Sequence, residues 1–125
     1  MVDKLAKSTA KQTGDRAEAM AVSWLEERGH QVFGRNLYTP YGKIEILARK
    51  DKRLIFVEIK TRKSARFGLP EEANTGLKIK QVVESAEYYI QEHPDLDEDW
   101  QINVIAIQHD PKTDRTEFTH FENAV

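Results

Sequence analysis

The segment Arg53-Leu54-Ile55-Phe56-Val57-Glu58-Ile59-Lys60 constrains this chain more than any other. Its apolar residues are continuous, not alternating. A strand of that kind must be covered on both faces, so it belongs at the centre of a sheet with helices on either side. The run ends in Glu-Ile-Lys. Side chains two apart on a strand share a face, so Glu58 and Lys60 project together, beside Phe56. Charged groups next to a core are costly unless they are paired or given a task.

The surrounding sequence supplies the other elements. Lys43 to Ala48 reads as a strand, and Lys50-Asp51-Lys52 as a tight polar turn, so Lys43–Lys60 should form an antiparallel hairpin. Upstream, Ala17, Met20, Ala21, Trp24 and Leu25 recur at helical spacing, with Thr13 as N-cap and Gly29 as stop. The spacing predicts a helix from about Gly14 to Arg28, after an arm over residues 1–12. His30 to Phe33 reads as a short strand. Residues 61–76 read as a loop. A second helix, about Leu77 to Glu92, carries Ile79, Val82, Val83, Ala86 and Ile90 on one face and stops before Pro94. Gln101 to Gln108 is a strand, and the alternating Arg115 to Phe121 an edge strand. The expected architecture is a single α/β domain over residues 13–125: a central mixed β-sheet of about five strands flanked by helices.

Composition narrows the function classes. The chain has 125 residues, 32% of them charged, a net charge of -2 and no cysteine. Cysteine-ligated metals and disulfides are excluded. No apolar run approaches the ~20 residues that cross a bilayer, and Met1 to Gln12 does not read as a secretory signal. A cytoplasmic setting is expected, without membrane contact. A chain this acidic would need a local basic patch to hold nucleic acid. The histidines His30, His93, His109 and His120 show no ligand spacing and read as surface or turn residues. Trp24, Phe56, Tyr89 and Phe118 read as core.

The chemistry-bearing residues gather around the hairpin. With a turn near Lys50 to Lys52, Glu45 should fall close to opposite Glu58. Two carboxylates so placed repel, and a hard divalent cation such as Mg²⁺ or Mn²⁺ removes the repulsion with oxygen ligands. Lys60 could then orient water or stabilise charge on a phosphate. Alone, Glu58 and Lys60 suit a surface ion pair worth ~0–1 kcal/mol better than a site; with Glu45 and the apolar context the two readings stand level. Glu18 flanks the first helix's apolar stripe and could reach the same place, although a helix-boundary glutamate is the blander reading. Arg62, Lys63 and Arg66 suit contact with a phosphodiester backbone, and a solvated basic loop equally. Lys78 and Lys80 near the start of the second helix oppose its dipole, which favours a phosphate-facing role. Arg35 is a weaker candidate.

Several short motifs, taken in order, resemble the YraN-like family of small predicted endonucleases, related to archaeal Holliday junction resolvases. They are GDRAEAMAVSWL from Gly14 to Leu25, Gly29, Arg35-Asn36, GKIEILA from Gly42 to Ala48, FVEIKTR from Phe56 to Arg62, Phe67-Gly68, Lys78, Ala86, Tyr89 and Asn103-Val104-Ile105. The resemblance covers about residues 14–107. It implies a restriction-endonuclease-like fold of the PD-(D/E)xK type. Glu18, Glu45, Glu58 and Lys60 then match the family's catalytic positions, and Lys78 its second-helix lysine. Five positions depart from the family pattern. Gly42-Lys43-Ile44-Glu45 stands where Gly-Glu-Ile-Asp is usual, and Gln101-Ile102-Asn103 where Arg-Phe-Asp is usual.

The expected function is a Mg²⁺- or Mn²⁺-dependent DNA endonuclease acting on branched or structured DNA. Glu45, Glu58 and the main-chain carbonyl of Ile59 would hold the metal. Arg62, Lys63, Arg66 and Lys78 would hold the DNA. A homodimer is attractive for a junction cutter, with Arg115 to Phe121 able to pair with a second copy. Three of the departures, Lys43, Glu45 and Asn103, motivate a runner-up: a nuclease fold that grips nucleic acid without cutting. The acidic net charge leaves room for a protein-interaction domain.

Overall fold

A computed structural model describes residues 10–62, 72–96, 98–110 and 112–125. In chain order the elements are α1 (Ala10–Glu27), β1 (Gln31–Thr39), β2 (Gly42–Lys50), β3 (Arg53–Arg62), α2 (Glu72–Glu92), β4 (Asp99–Asp110) and β5 (Arg115–Phe121). The strands form one sheet in the order β1-β2-β3-β4-β5. The β3–β4 pair is parallel, and its crossover carries α2; the other neighbours are antiparallel. β3 is thus the central strand that its apolar run requires, and β5 lies at an edge. This five-stranded mixed sheet with two helices is compatible with a restriction-endonuclease-like fold. No helix among the described residues is long and apolar enough to cross a membrane.

Each helix covers one face. On the α1 side, Ala17, Ala21 and Leu25 pack on Ile46, Ile55, Val57, Ile105 and Ile107. The two alanines let the helix approach the sheet closely. On the other side, Val82 and Ala86 of α2 pack with Ile44, Leu47, Leu54, Phe56 and Ile102. Burying each large side chain contributes ~1.5–3 kcal/mol. Phe56 is the centre of this second layer, meeting Tyr89 and Trp100 edge-on at 6.1 and 5.6 Å.

The hairpin turn is as the sequence suggests. Asp51 and Lys52 both adopt left-handed backbone, φ 53° and 62°, which a two-residue turn between Lys50 and Arg53 requires. Several boundaries differ from the sequence reading. α1 begins at Ala10, so Thr13 lies inside the helix and is not its cap. β1 runs on to Thr39 because it stays paired with β2 as far as Thr39↔Gly42. It absorbs a register shift between Val32 and Gly34 on the way. α2 begins at Glu72 rather than near Leu77, which puts Lys78 and Lys80 past its first turn. His30 is not a surface residue. It is buried beneath the end of α1, where its ring Nδ1 lies 3.1 Å from the Leu25 carbonyl.

One irregularity positions the site. Along β2, Ile44 and Leu47 pack on the α2 side and Ile46 on the α1 side. Glu45 and Lys43, however, line a cavity with α1 residues. Adjacent residues Glu45 and Ile46 therefore both face α1, and strict alternation slips between them. Across the ladder, between the pairs Arg35↔Ile46 and Leu37↔Ile44, sits Asn36 with φ 53°, a conformation that asparagine tolerates better than most residues. The β2–β3 ladder runs from Lys50↔Arg53 to Ile46↔Val57 and ends there.

Candidate metal and nucleic-acid site

Where the β2–β3 ladder ends, a side chain takes over from the backbone. Glu45 Oε1 accepts a hydrogen bond from the Ile59 amide at 2.6 Å. A buried amide without a partner is costly, and here a carboxylate supplies what β2's backbone no longer can. The slip of alternation is what turns Glu45 toward this position.

Glu18 is fixed from the opposite direction. It lies on the buried face of α1, one turn after Asp15 and one residue after the core alanine Ala17. Arg35 Nε donates to its Oε2 at 2.7 Å. Asn36 Nδ2 donates to Oε1 and Oε2 at 3.1 and 3.0 Å. The left-handed backbone at Asn36 serves this contact, because it brings the amide toward α1 from an otherwise extended strand.

These residues share a cavity of about 290 Å³ at the N-terminal end of α1. Asp15 and Glu18 line it from α1, Asn36 from β1, Lys43 and Glu45 from β2, and Ile59 and Thr61 from β3. Three carboxylates and one lysine thus face one small space. Glu58 and Lys60 do not line it. Residues Ile55, Val57 and Ile59 pack on the α1 side and Leu54 and Phe56 on the α2 side, so alternation sends Glu58 and Lys60 toward α2. Glu58 is 2% exposed. Glu45 and Glu58 therefore meet neither as a ladder pair nor across the cavity; they flank the Ile59 peptide from its two sides. Among the described residues, no group of three or more acidic or histidine side chains is gathered so as to hold a metal ion by itself.

The remaining sequence candidates divide simply. Arg35 is the ion-pair partner of Glu18, a role its sequence gave no sign of. Lys63 and Arg66 lie outside the described residues, as do the side chains of Arg62 on β3 and Lys78 on α2. Asp15, Asn36 and Thr61 are cavity residues that the sequence reading did not single out. For Asp15 a signal existed: three residues before Glu18 on a helix, it shares that face.

The fold and this cavity define a class: a small α/β domain with a mixed sheet between two helices and an acidic cleft where its central hairpin parts. The profile of the uncharacterised protein family UPF0102 matches residues 17–107. A UPF0102 protein of Caldicellulosiruptor bescii is 36% identical over 115 residues, covering 91% of this chain and 97% of that protein. One from Syntrophomonas wolfei is 37% identical over 90 residues, 72% of this chain and 78% of its own. A third, from Beutenbergia cavernae, is 38% identical over 94 residues, 75% and 80% of the two chains. The chain belongs to the UPF0102 family, the YraN-like family its motifs resemble.

Proposed function

We propose that this protein is a divalent-metal-dependent DNA endonuclease that acts on branched or otherwise structured DNA. The observation that carries the reading is the end of the β2–β3 ladder, which leaves two carboxylates, Glu45 and Glu58, on either side of the Ile59 peptide. Glu58 is almost wholly enclosed in the central strand, just past the end of its ladder with β2, and Glu45 is held against the Ile59 amide. Lys60 follows Glu58 two residues later on the same face of the strand.

The donor set fits a hard cation. Mg²⁺ is usually held by one or two carboxylates, with waters and substrate phosphate completing its shell, so a cage of three side chains is not required. The cation would sit where β2 and β3 part, at the Ile59 carbonyl, with Glu45 reaching it from the cavity side, Glu58 from the α2 side, and Glu18 supporting Glu45 across the cavity. Bound there, Mg²⁺ or Mn²⁺ would supply an activated water and neutralise phosphate charge. Lys60 would orient the attacking water and stabilise the charge that develops on the phosphate. Arg35 and Asn36 would keep Glu18 oriented. Arg62, Lys63, Arg66 and Lys78 would grip the backbone. A junction has two strands to cut, so the reading includes a homodimer with two such sites.

A second reading rests on a different observation. Both oxygens of Glu18 are already engaged by Arg35 and Asn36, and Glu45 is engaged by a backbone amide. Such a site suits a fold that holds DNA without cutting it. One experiment separates the two. Linear, nicked and four-way-junction DNAs are incubated with the protein in Mg²⁺ or Mn²⁺, alongside Lys60→Ala and Glu45→Gln. The endonuclease reading expects cutting of at least one substrate and a loss of about a hundredfold or more in either variant. Identical rates for wild type and Lys60→Ala would sink it. Binding by all three proteins with no cutting would select the second reading.

A further inference from the structure

The geometry points to a nucleotide platform at the mouth of the cavity, built from Tyr38 and Lys43, which takes an unpaired base together with its phosphate. The inference rests on the nucleic-acid reading above and adds to it the form of substrate: DNA with a single-stranded stretch beside the cut.

Tyr38 and Lys43 are direct partners in the β1–β2 ladder. Side chains of such a pair stand on the same face of the sheet, within reach of each other. Lys43 lines the acidic cavity, so Tyr38 belongs to the cavity side as well. Yet Tyr38 is 79% exposed. Its neighbour Leu37 packs into the α2-side core, which leaves the tyrosine ring projecting from the opposite face. A large aromatic ring that contributes to neither core layer has no packing reason to be there.

The support beneath it is firm. Two residues separate Thr39 from its ladder partner Gly42, which adopts φ 145°. Thr39 Oγ1 accepts from the Tyr41 amide at 3.1 Å and lies 2.8 Å from the Gly42 carbonyl. It also reaches Ser85 Oγ on α2 at 3.0 Å. Tyr41 leans on Tyr88, ring centres 6.2 Å apart. The hairpin tip is thus pinned to α2, and Tyr38 is presented on a fixed base. A preorganised ring loses little freedom when it binds.

An aromatic face beside a cation is the chemistry of single-strand recognition: the base stacks on the ring and the phosphate meets the ammonium. In duplex DNA each base face is already covered by its neighbours, so Tyr38 would find nothing to stack on. The pair therefore discriminates by strand state and not by sequence. It also gives the cavity's three carboxylates a cation at their entrance, which counters the repulsion an approaching phosphate would meet.

Anisotropy with labelled DNA in EDTA tests this without cutting. The probes are a single strand, a blunt duplex of that sequence, and the duplex with a single-stranded tail. The expected order is tighter binding of the single strand and the tailed duplex than of the blunt one. Tyr38→Ala should weaken those two by about tenfold and leave the blunt duplex nearly unchanged, while Tyr38→Phe keeps wild-type affinity. Lys43→Glu should weaken the same two and lower the single-strand salt slope by about 0.7. If wild type binds DNA but Tyr38→Ala binds every probe as wild type does, or loses equally on all three, the platform is wrong while the nucleic-acid reading stands. If wild type retains none of the three probes, both fall together.

Discussion

Two polar clusters lie beneath the two ends of α1, and they are built on opposite terms. At the N-terminal end, Asp15, Glu18, Lys43 and Glu45 face a cavity, with Arg35 closing on Glu18 from a half-exposed position. At the C-terminal end, His30, Asn103 and His120 are packed among aromatic rings. Trp24 meets His120 edge-on at 5.2 Å, and the two imidazoles are 6.0 Å apart. Every bond described there joins neutral groups. Asn103 Nδ2 donates to His120 Nε2 at 2.8 Å, while Asn103 Oδ1 accepts from the Gln101 side chain and the Asn123 amide. Burial holds both imidazole pKa values below the ordinary histidine value, which keeps them uncharged near neutral pH. One cluster is sealed because its members satisfy one another without charge. The other is open and charged: its carboxylates share a solvent-facing cavity with Lys43 and are held by Arg35, Asn36 and the Ile59 amide.

The largest expected effect breaks the sealed cluster. Asn103 is fully buried and holds three partners. Asn103→Ala strands the Asn123 amide, the Gln101 amide and the His120 ring together. It should cost about 2–3 kcal/mol in urea unfolding, since each buried polar group left unmade is expensive. A loss below about 0.5 kcal/mol would show that the cluster does not knit β4, β5 and the C-terminal turn, and the contrast with the open end would lose its basis.

Acid should find the sealed cluster next. The unfolded chain takes up protons at the ordinary histidine pKa of about 6.5; the folded one does so only at lower pH, chiefly because of burial and, for His120, the nearby His30, Lys50 and Arg28. The unfolded state therefore binds more protons below about 6.5, and stability falls as pH drops through that window. Above it the contribution is complete. His120→Gln, which can still accept from Asn103, should flatten the loss in a denaturation series between about pH 7 and pH 5. A slope identical to wild type would mean that His120 takes its proton as readily folded as unfolded.

The same contrast explains what was legible in the sequence. β3's unbroken apolar run identifies the central strand, because two-sided burial leaves a pattern in one segment alone. The Lys50-Asp51-Lys52 turn is legible for the same reason. His30 was not, since a polar residue after a helix-ending glycine reads as surface until β5 delivers His120 and β4 delivers Asn103. The placement of Glu45 against Ile59 was not either. Alternation predicts a ladder pair with Glu58, and only the joint distortion of β1 at Asn36 and β2 at Glu45 shifts it. Irregularities of that kind belong to two strands at once, so neither strand's periodicity carries them. Arg35 had the weakest signal of all, a single cation whose partner lies 17 positions away.

That cation also gives the smallest effect. Arg35→Ala removes the ion pair to Glu18, but the arginine side chain is half exposed, and solvent screens such pairs to ~0–1 kcal/mol. Glu18 is not left stranded, because Asn36 Nδ2 still reaches both of its oxygens. Thermal unfolding should shift little, in contrast to Asn103→Ala. What should change is Glu18 itself. With the guanidinium gone, Glu18 loses one of the two groups that orient it behind Glu45, so titration with Mn²⁺ should show a modestly weaker affinity than wild type. A large stability loss from Arg35→Ala would mean that the open end is knitted as tightly as the sealed one, and that the two clusters differ in charge but not in purpose.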